Sequence, residues 1–244
     1  MLDRLRENRY EVQFLSHASA ILSVDFPDAI TELEDTLLDL TIPVEELIRS
    51  GGGITKGTQR LRTALEAKGW NKVNFTIEKR INGIERESRS HEVDHVKAFS
   101  NGSTIALEIE WNNKDPFFDR DLENFKRLHA EGAISVGVII TRGTSLQDAL
   151  CDLVRQFAVA EGLNGLEKLQ RFALTPTPRQ KASIESQVQR GATFEDAWSS
   201  LFVADKYGAA TTHWRKLEAR VSRGVGNPCP LLLIGIPKDV VKFK

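Results

Sequence analysis

The sequence predicts an α/β fold with a central mixed sheet flanked by helices, on three observations. Three segments between Val73 and Trp111 alternate apolar and polar residues with period two, the mark of half-covered strands. Residues 134–140 and 230–236 are almost wholly apolar, as strands covered on both faces must be. Helical-period stretches lie before, between and after them, and that mixed order favours layers of helix packed on sheet.

Residues 1–24 and 27–50 read as helices: Leu33, Leu37, Leu38 and Leu40 recur at helical spacing, and Pro43 opens a further turn. Gly51, Gly52 and Gly53 break the chain. They lack the Gly-Lys-Ser/Thr ending of a phosphate loop and read as a hinge. Thr58 to Lys68 is predicted helical, with Leu61, Ala64 and Leu65 inward and Gly69 as the stop. Val73, Phe75 and Ile77 then alternate, Asn82-Gly83 signals a tight hairpin, and a second strand runs from His91 to Phe99. Asn101-Gly102 turns the chain into a third, Thr104 to Trp111.

A helix follows over Asp119 to His129, closed by Gly132. After the strand ending at Ile140, Ser145 and Asp148 read as a capping box for a helix bearing Leu146, Leu150, Leu153, Val154 and Phe157. Beyond Pro176 and Pro178 a polar helical stretch leads through Trp198 to a loop at Tyr207-Gly208. His213 to Val221 is a last predicted helix before the closing strand. The organisation expected is a helical region, 1–50, packed on a core of 51–244, together one compact domain.

With 244 residues, 41% of them apolar, the chain has ample material for one core. Its longest aliphatic run, Leu231 to Ile234, is far short of the roughly 20 residues a membrane span needs. Arg4, Arg6 and Arg9 precede a stretch broken by Glu11, Gln13, Ser16 and His17, which is no signal peptide. Two cysteines, Cys151 and Cys229, make no disulfide framework, so a cytoplasmic setting without membrane is expected. The net charge of −1 conceals a segregation: Asp25 to Glu46 holds eight acids and no Lys or Arg, which leaves +7 for the rest. A near-neutral total therefore does not exclude a polyanionic partner.

The chemistry concentrates in the second and third strands. Glu108 and Glu110 share one face of the third, about 6.8 Å apart, opposite Ile105, Leu107, Ile109 and Trp111. The second strand supplies Glu92 and Asp94, read on one face with Val93 and His95 on the other. Facing acids destabilise a strand pair unless something offsets them. Three readings stay open on spacing alone: a hard divalent cation held by carboxylates, a carboxylate pair hydrolysing a glycosidic bond, or an exposed acidic edge with no ligand. His91 and His95 have the spacing of a helical zinc pair, but they sit in a strand.

Asp94, a turn, then Glu108-Ile109-Glu110 resembles the PD-(D/E)xK nuclease signature, and more closely the BamHI and BglII group of type II restriction endonucleases. Val93 stands where the name-giving proline would be, and Glu110 where most relatives carry lysine; the second departure is itself a mark of that group. The resemblance covers about residues 51–160, continuing through Trp111 to Lys114 and the helix with Asp152 and Arg155. It is weaker at Thr211 to Trp214 and Gly226 to Leu233. It implies a restriction-endonuclease-like sandwich and Mg²⁺ held by Asp94, Glu108 and the carbonyl of Ile109. Glu110 would position or deprotonate the attacking water, and Glu92 would be an outer ligand or a mere neighbour.

It also implies a homodimer cutting both strands of double-stranded DNA at a short palindrome, with a GATC core the leading expectation, and a methyltransferase protecting the host genome. Asp119 to His129 is expected to form part of the dimer interface. Expected DNA contacts are Asn113 and Lys114 past the catalytic strand, Arg142 and Thr144 in the loop opening a helix, Asp152 and Arg155 on that helix, and His213, Arg215 and Arg223 on a basic wall. The alternatives are a repair or phage-exclusion nuclease on the same fold, a silent DNA-binding module, and a carbohydrate hydrolase using Glu108 and Glu110.

Overall fold

The computed structural model describes residues 1–49 and 55–243; the glycines read as a hinge, Gly51 to Gly53, lie outside the described residues. The elements run α1 Asp3–Glu7, β1 Glu11–Leu15, α2 Ala18–Asp25, α3 Pro27–Leu38, β2 Ile42–Pro43, α4 Val44–Ile48, α5 Lys56–Glu66, β3 Asn71–Ile81, β4 Ile84–Ala98 and β5 Thr104–Glu110. Then come α6 Phe117–Ala130, β6 Val136–Arg142, α7 Thr144–Ala160, α8 Pro178–Gln189, α9 Phe194–Tyr207, α10 Trp214–Val221, β7 Leu231–Ile236 and β8 Val241–Lys242.

Six strands form one sheet in the order β1-β7-β6-β5-β4-β3, while β2 and β8 make a separate pair. β5, β6 and β7 run parallel; β4 and β3 continue antiparallel on one side and β1 on the other. The predicted fold class is thus the one observed, a mixed central sheet flanked by helices. All seven residues of β6 are buried, as its apolar composition required.

The two faces of the sheet carry two cores. Ile105, Leu107, Val138 and Ile140 pack with Leu33, Leu61 and Leu65 of the N-terminal helices and with Leu150 and Val154 of α7. Ala106, Ile139 and Leu233 pack with Phe118, Leu122 and Phe125 of α6 and with Trp214 and Leu217 of α10. Ala106, on one side of β5, therefore packs under α6.

Two local expectations are corrected. Residues 1–24 are not one helix: backbone at positive φ at Arg9 and again at Ser16 and His17 breaks the run, and β1 between them pairs antiparallel with β7. Val12 and Phe14 are the period-two signal inside it, and both pack against the first core. No capping box forms on Ser145; the cap position is Gly143, and the Ser145 hydroxyl accepts instead from the Lys238 N–H at 3.2 Å.

Candidate active site

β5 ends by placing Glu108 and Glu110 on its α6 side, both buried. One residue past the last β4–β5 pair, His95 with Leu107, the Asp94 N–H donates to Glu108 Oε1 at 3.4 Å. Asp94 sits on a bulge. Between Asn71 and Val73 on β3 there is one residue, whereas β4 spends two, Asp94 and His95, between Val93 and Val96. Such an insertion re-aims a side chain beside a site. It also breaks the strict alternation read from the sequence, because Val93 and Val96, three apart, enter the same core.

The Asp94 carboxylate lies 2.5 Å from Arg62 of α5 and 3.7 Å from Lys72 of β3, and Lys72 also holds the exposed Glu92 at 2.5 Å. Glu110 is bracketed: Asn113 Nδ2 donates to Oε2 at 2.9 Å, and Arg120 Nη2 stands 3.7 Å from Oε1. A fourth acid arrives from α6. Asp121 is buried beside Glu110, and its charge helps to raise the Glu110 pKa. Its Oδ1 accepts from Arg120 Nε at 2.8 Å, and its Oδ2 is buried with no donor.

Burial dominates the electrostatics. It pushes Glu108 up to about 9, with the charges of Asp121 and Asp94 adding to the effect and the Asp94 N–H opposing it. Burial and then Asp121 push Glu110 up to about 8, against the Asn113 hydrogen bond. Burial likewise raises Asp121. As they stand, no three His, Cys, Asp or Glu side chains among the described residues come close enough to clasp one ion. The donor chemistry nevertheless fits a hard divalent cation: the donors are all oxygen, burial and neighbouring acids push two of the carboxyls up, and one buried carboxylate oxygen has no partner.

The model of the family "Restriction endonuclease BglII/BglIII" matches residues 10–236. The chain belongs to this family. It is a type II restriction enzyme, a site-specific deoxyribonuclease, and DNA is what it acts on. A search of curated proteins returned no match. No helix among the described residues is long and apolar enough to cross a membrane.

The residues expected to contact DNA in this restriction enzyme scatter. Asn113 is exposed at the site, tied to Glu110, and Lys114 is exposed beside it. Arg142 offers nothing to a phosphate. It is fully buried, donating from Nε to the Trp111 carbonyl at 2.7 Å, from Nη1 to Gln147 at 2.6 Å and from Nη2 to Thr211 and Thr212 at 2.7 Å. Thr144 begins α7, but its N–H already donates to Glu11 Oε2 at 2.6 Å.

Asp152 and Arg155 are exposed on α7, which covers the sheet face opposite the carboxylates, and Arg155 pairs with Asp196 of α9 at 3.8 Å. His213 is nearly buried and, mainly by burial and then by Arg142, pushed down to about 4. Arg215 is held by both oxygens of Asp148 at 2.7 Å, and the exposed Arg223 caps its own helix through the Ala219 carbonyl at 2.9 Å.

Sequence reading missed Asp121, Arg120, Arg62 and Lys72. For Asp121 a signal existed: it lies within the apolar stripe Phe118, Leu122, Phe125 of α6, where an acid has no reason to be unless it serves something. The other three are ordinary basic residues until the fold brings them to the acids.

Proposed function

We propose that this restriction enzyme hydrolyses phosphodiester bonds in both strands of a short palindrome, with a GATC core as the leading site, in a Mg²⁺-dependent reaction. The observation that supports it most is the lateral contact of Asp94 with Glu108, with Glu110 two residues on, on the sheet face under α6. Asp94, Glu108 and the carbonyl of Ile109 would hold the ion. Bound magnesium polarises the scissile phosphate and lowers the pKa of its water. Glu110 orients the attacking water and takes its proton, with Asn113 fixing the orientation of that carboxylate. The surrounding apolar side chains of α6 keep bulk water from the carboxylates. Glu92 stays a neighbour held by Lys72.

The working unit is a homodimer, because a twofold protein gives one centre to each strand of a palindrome; Asp119 to His129 forms part of its interface. The region 1–50 packs on the core of 51–244 as one compact nuclease domain. A methyltransferase guards the same sequence in the host, which is cytoplasmic work. Of the expected DNA contacts, Asn113, Lys114, His213, Arg215 and Arg223 remain on this reading.

Plasmid DNA incubated with the protein and Mg²⁺ should yield discrete fragments, and sequencing their ends gives the site and the stagger together. A smear would favour a repair or phage-exclusion nuclease. Intact plasmid, or cutting unimpaired by Glu108→Ala, would overturn the assignment.

A further inference from the structure

We propose that Arg120 is a phosphate-holding residue of the active site, its guanidinium gripping a non-bridging oxygen of the DNA strand that lies against the carboxylates. The inference rests on the reading of Asp94, Glu108 and Glu110 as the reaction centre. Asp94, Glu108, Glu110 and Asp121 feel one another's charge under α6, and a phosphodiester approaching them is repelled unless a cation stands at the mouth. The basic side chains near Asp94 are already engaged: Arg62 grips Asp94, and Lys72 is shared between Glu92 and Asp94. Arg120 is placed differently. Its side chain is as exposed as that of Lys72, 53% each, but Lys72 holds acids that are themselves open, Glu92 at 60% and Asp94 at 33%, whereas Glu110 and Asp121 below Arg120 are 3% and 1% exposed.

The guanidinium is also locked. Nε and Nη2 both reach Asp121 Oδ1, at 2.8 and 2.7 Å, and Cζ lies 4.3 Å from the centre of the Phe117 ring. The contacts to Asp121 and Glu110 run through Nε and Nη2, which leaves the Nη1 edge of the planar fork for an anion. Ordering an arginine side chain costs rotamer freedom. A stack on one side and a buried carboxylate on the other meet that cost before substrate arrives, which is how a group that must hold a reacting phosphate is pre-organised.

The test compares Arg120→Gln and Arg120→Lys with the wild-type protein on a fluorescent duplex spanning the site read from the plasmid fragments. Binding is measured in EDTA as a function of salt, and cleavage in Mg²⁺. Loss of one phosphate contact should flatten the slope of log affinity against log salt by about 0.9. Cleavage by Arg120→Gln should fall roughly a hundredfold. Arg120→Lys keeps the charge and so the slope, but loses much of the rate because the fork is gone. A purely structural arginine would change the melting temperature and leave the slope alone. An unchanged slope together with wild-type cleavage in Arg120→Gln overturns the proposal by itself, whereas plasmid left uncut by the wild-type protein overturns the reading beneath it as well.

Discussion

Asn113 does not hang free at the exit of the catalytic strand: its Nδ2 donates to Glu110 Oε2 at 2.9 Å, and its own carbonyl accepts from the Thr212 N–H at 2.8 Å. An amide expected to read a base edge is thereby tied to a carboxylate expected to handle the attacking water. Because that hydrogen bond favours the ionised form, its loss must raise a pKa that burial and Asp121 have already lifted to about 8.

Asn113→Ala is accordingly predicted to move the acid limb of the pH–rate profile for plasmid cleavage to higher pH while the alkaline side is unmoved. Relaxed sequence preference with an unshifted limb would return Asn113 to base reading and detach it from Glu110.

Glu108 makes the site a source of instability near neutrality. In the unfolded chain its carboxyl ionises near 4.5, in the folded one at about 9, chiefly through burial. Between those values the folded protein retains a proton that the unfolded chain has lost, so the stability associated with this group is full below about 4.5 and is lost as pH climbs towards 9. Glu108→Gln removes the titration. We expect it to abolish cleavage yet to melt higher than wild type at pH 8, by roughly 2–4 °C per kcal/mol recovered, with the two proteins converging at pH 5. A variant less stable than wild type at both pH values would contradict the account.

The sequence made β5 readable because Ile105, Leu107 and Ile109 alternate with Ala106, Glu108 and Glu110, and alternation alone assigns the faces. β1 was concealed: five residues leave little room for a period, and the apolar residues on either side of it, Leu5 and Tyr10 before and Ala18 and Leu22 after, suit a helix equally well. Asp121 and Arg120 come from α6, joined to Glu110 only when the helix folds back over its own strand, and no spacing in one dimension reports that. Arg142 illustrates the opposite failure. A basic residue between an apolar strand and a helix resembles an anion site, but whether it faces outward or is drawn into the core depends on carbonyls such as that of Thr212, some 70 residues away.

That burial makes a third expectation sharp. Every nitrogen of the Arg142 guanidinium has a partner, and the cation sits 5.0 Å from the centre of the Tyr207 ring, although burial pulls its pKa down to about 10. Arg142→Ala would strand the Trp111 and Thr212 carbonyls and open a cavity between β6 and α9. The cost should be about 3–5 kcal/mol in denaturant unfolding. Full stability with weakened DNA binding would restore the phosphate role.

Glu11 carries the last expectation. Its Oε2 takes the Thr144 N–H at 2.6 Å, and a Cβ added at Gly143 or Gly235 would lie only 2.7 or 2.9 Å from that same oxygen. The carboxylate thus does at the start of α7 what Ser145 does not: it satisfies an orphan amide and opposes the positive end of a 17-residue helix. Glu11→Ala should cost about 1 kcal/mol, read from chemical unfolding, and Glu11→Gln, which keeps the acceptor but not the charge, less. Gly143→Ala should be the harsher change, since the added methyl would also press the Ile236 carbonyl at 2.8 Å, where β7 backbone has no room to yield. If Glu11→Ala left stability untouched while strengthening DNA binding, the α7 terminus would be a phosphate site that the glutamate merely screens, and Thr144 would regain the place first assigned to it.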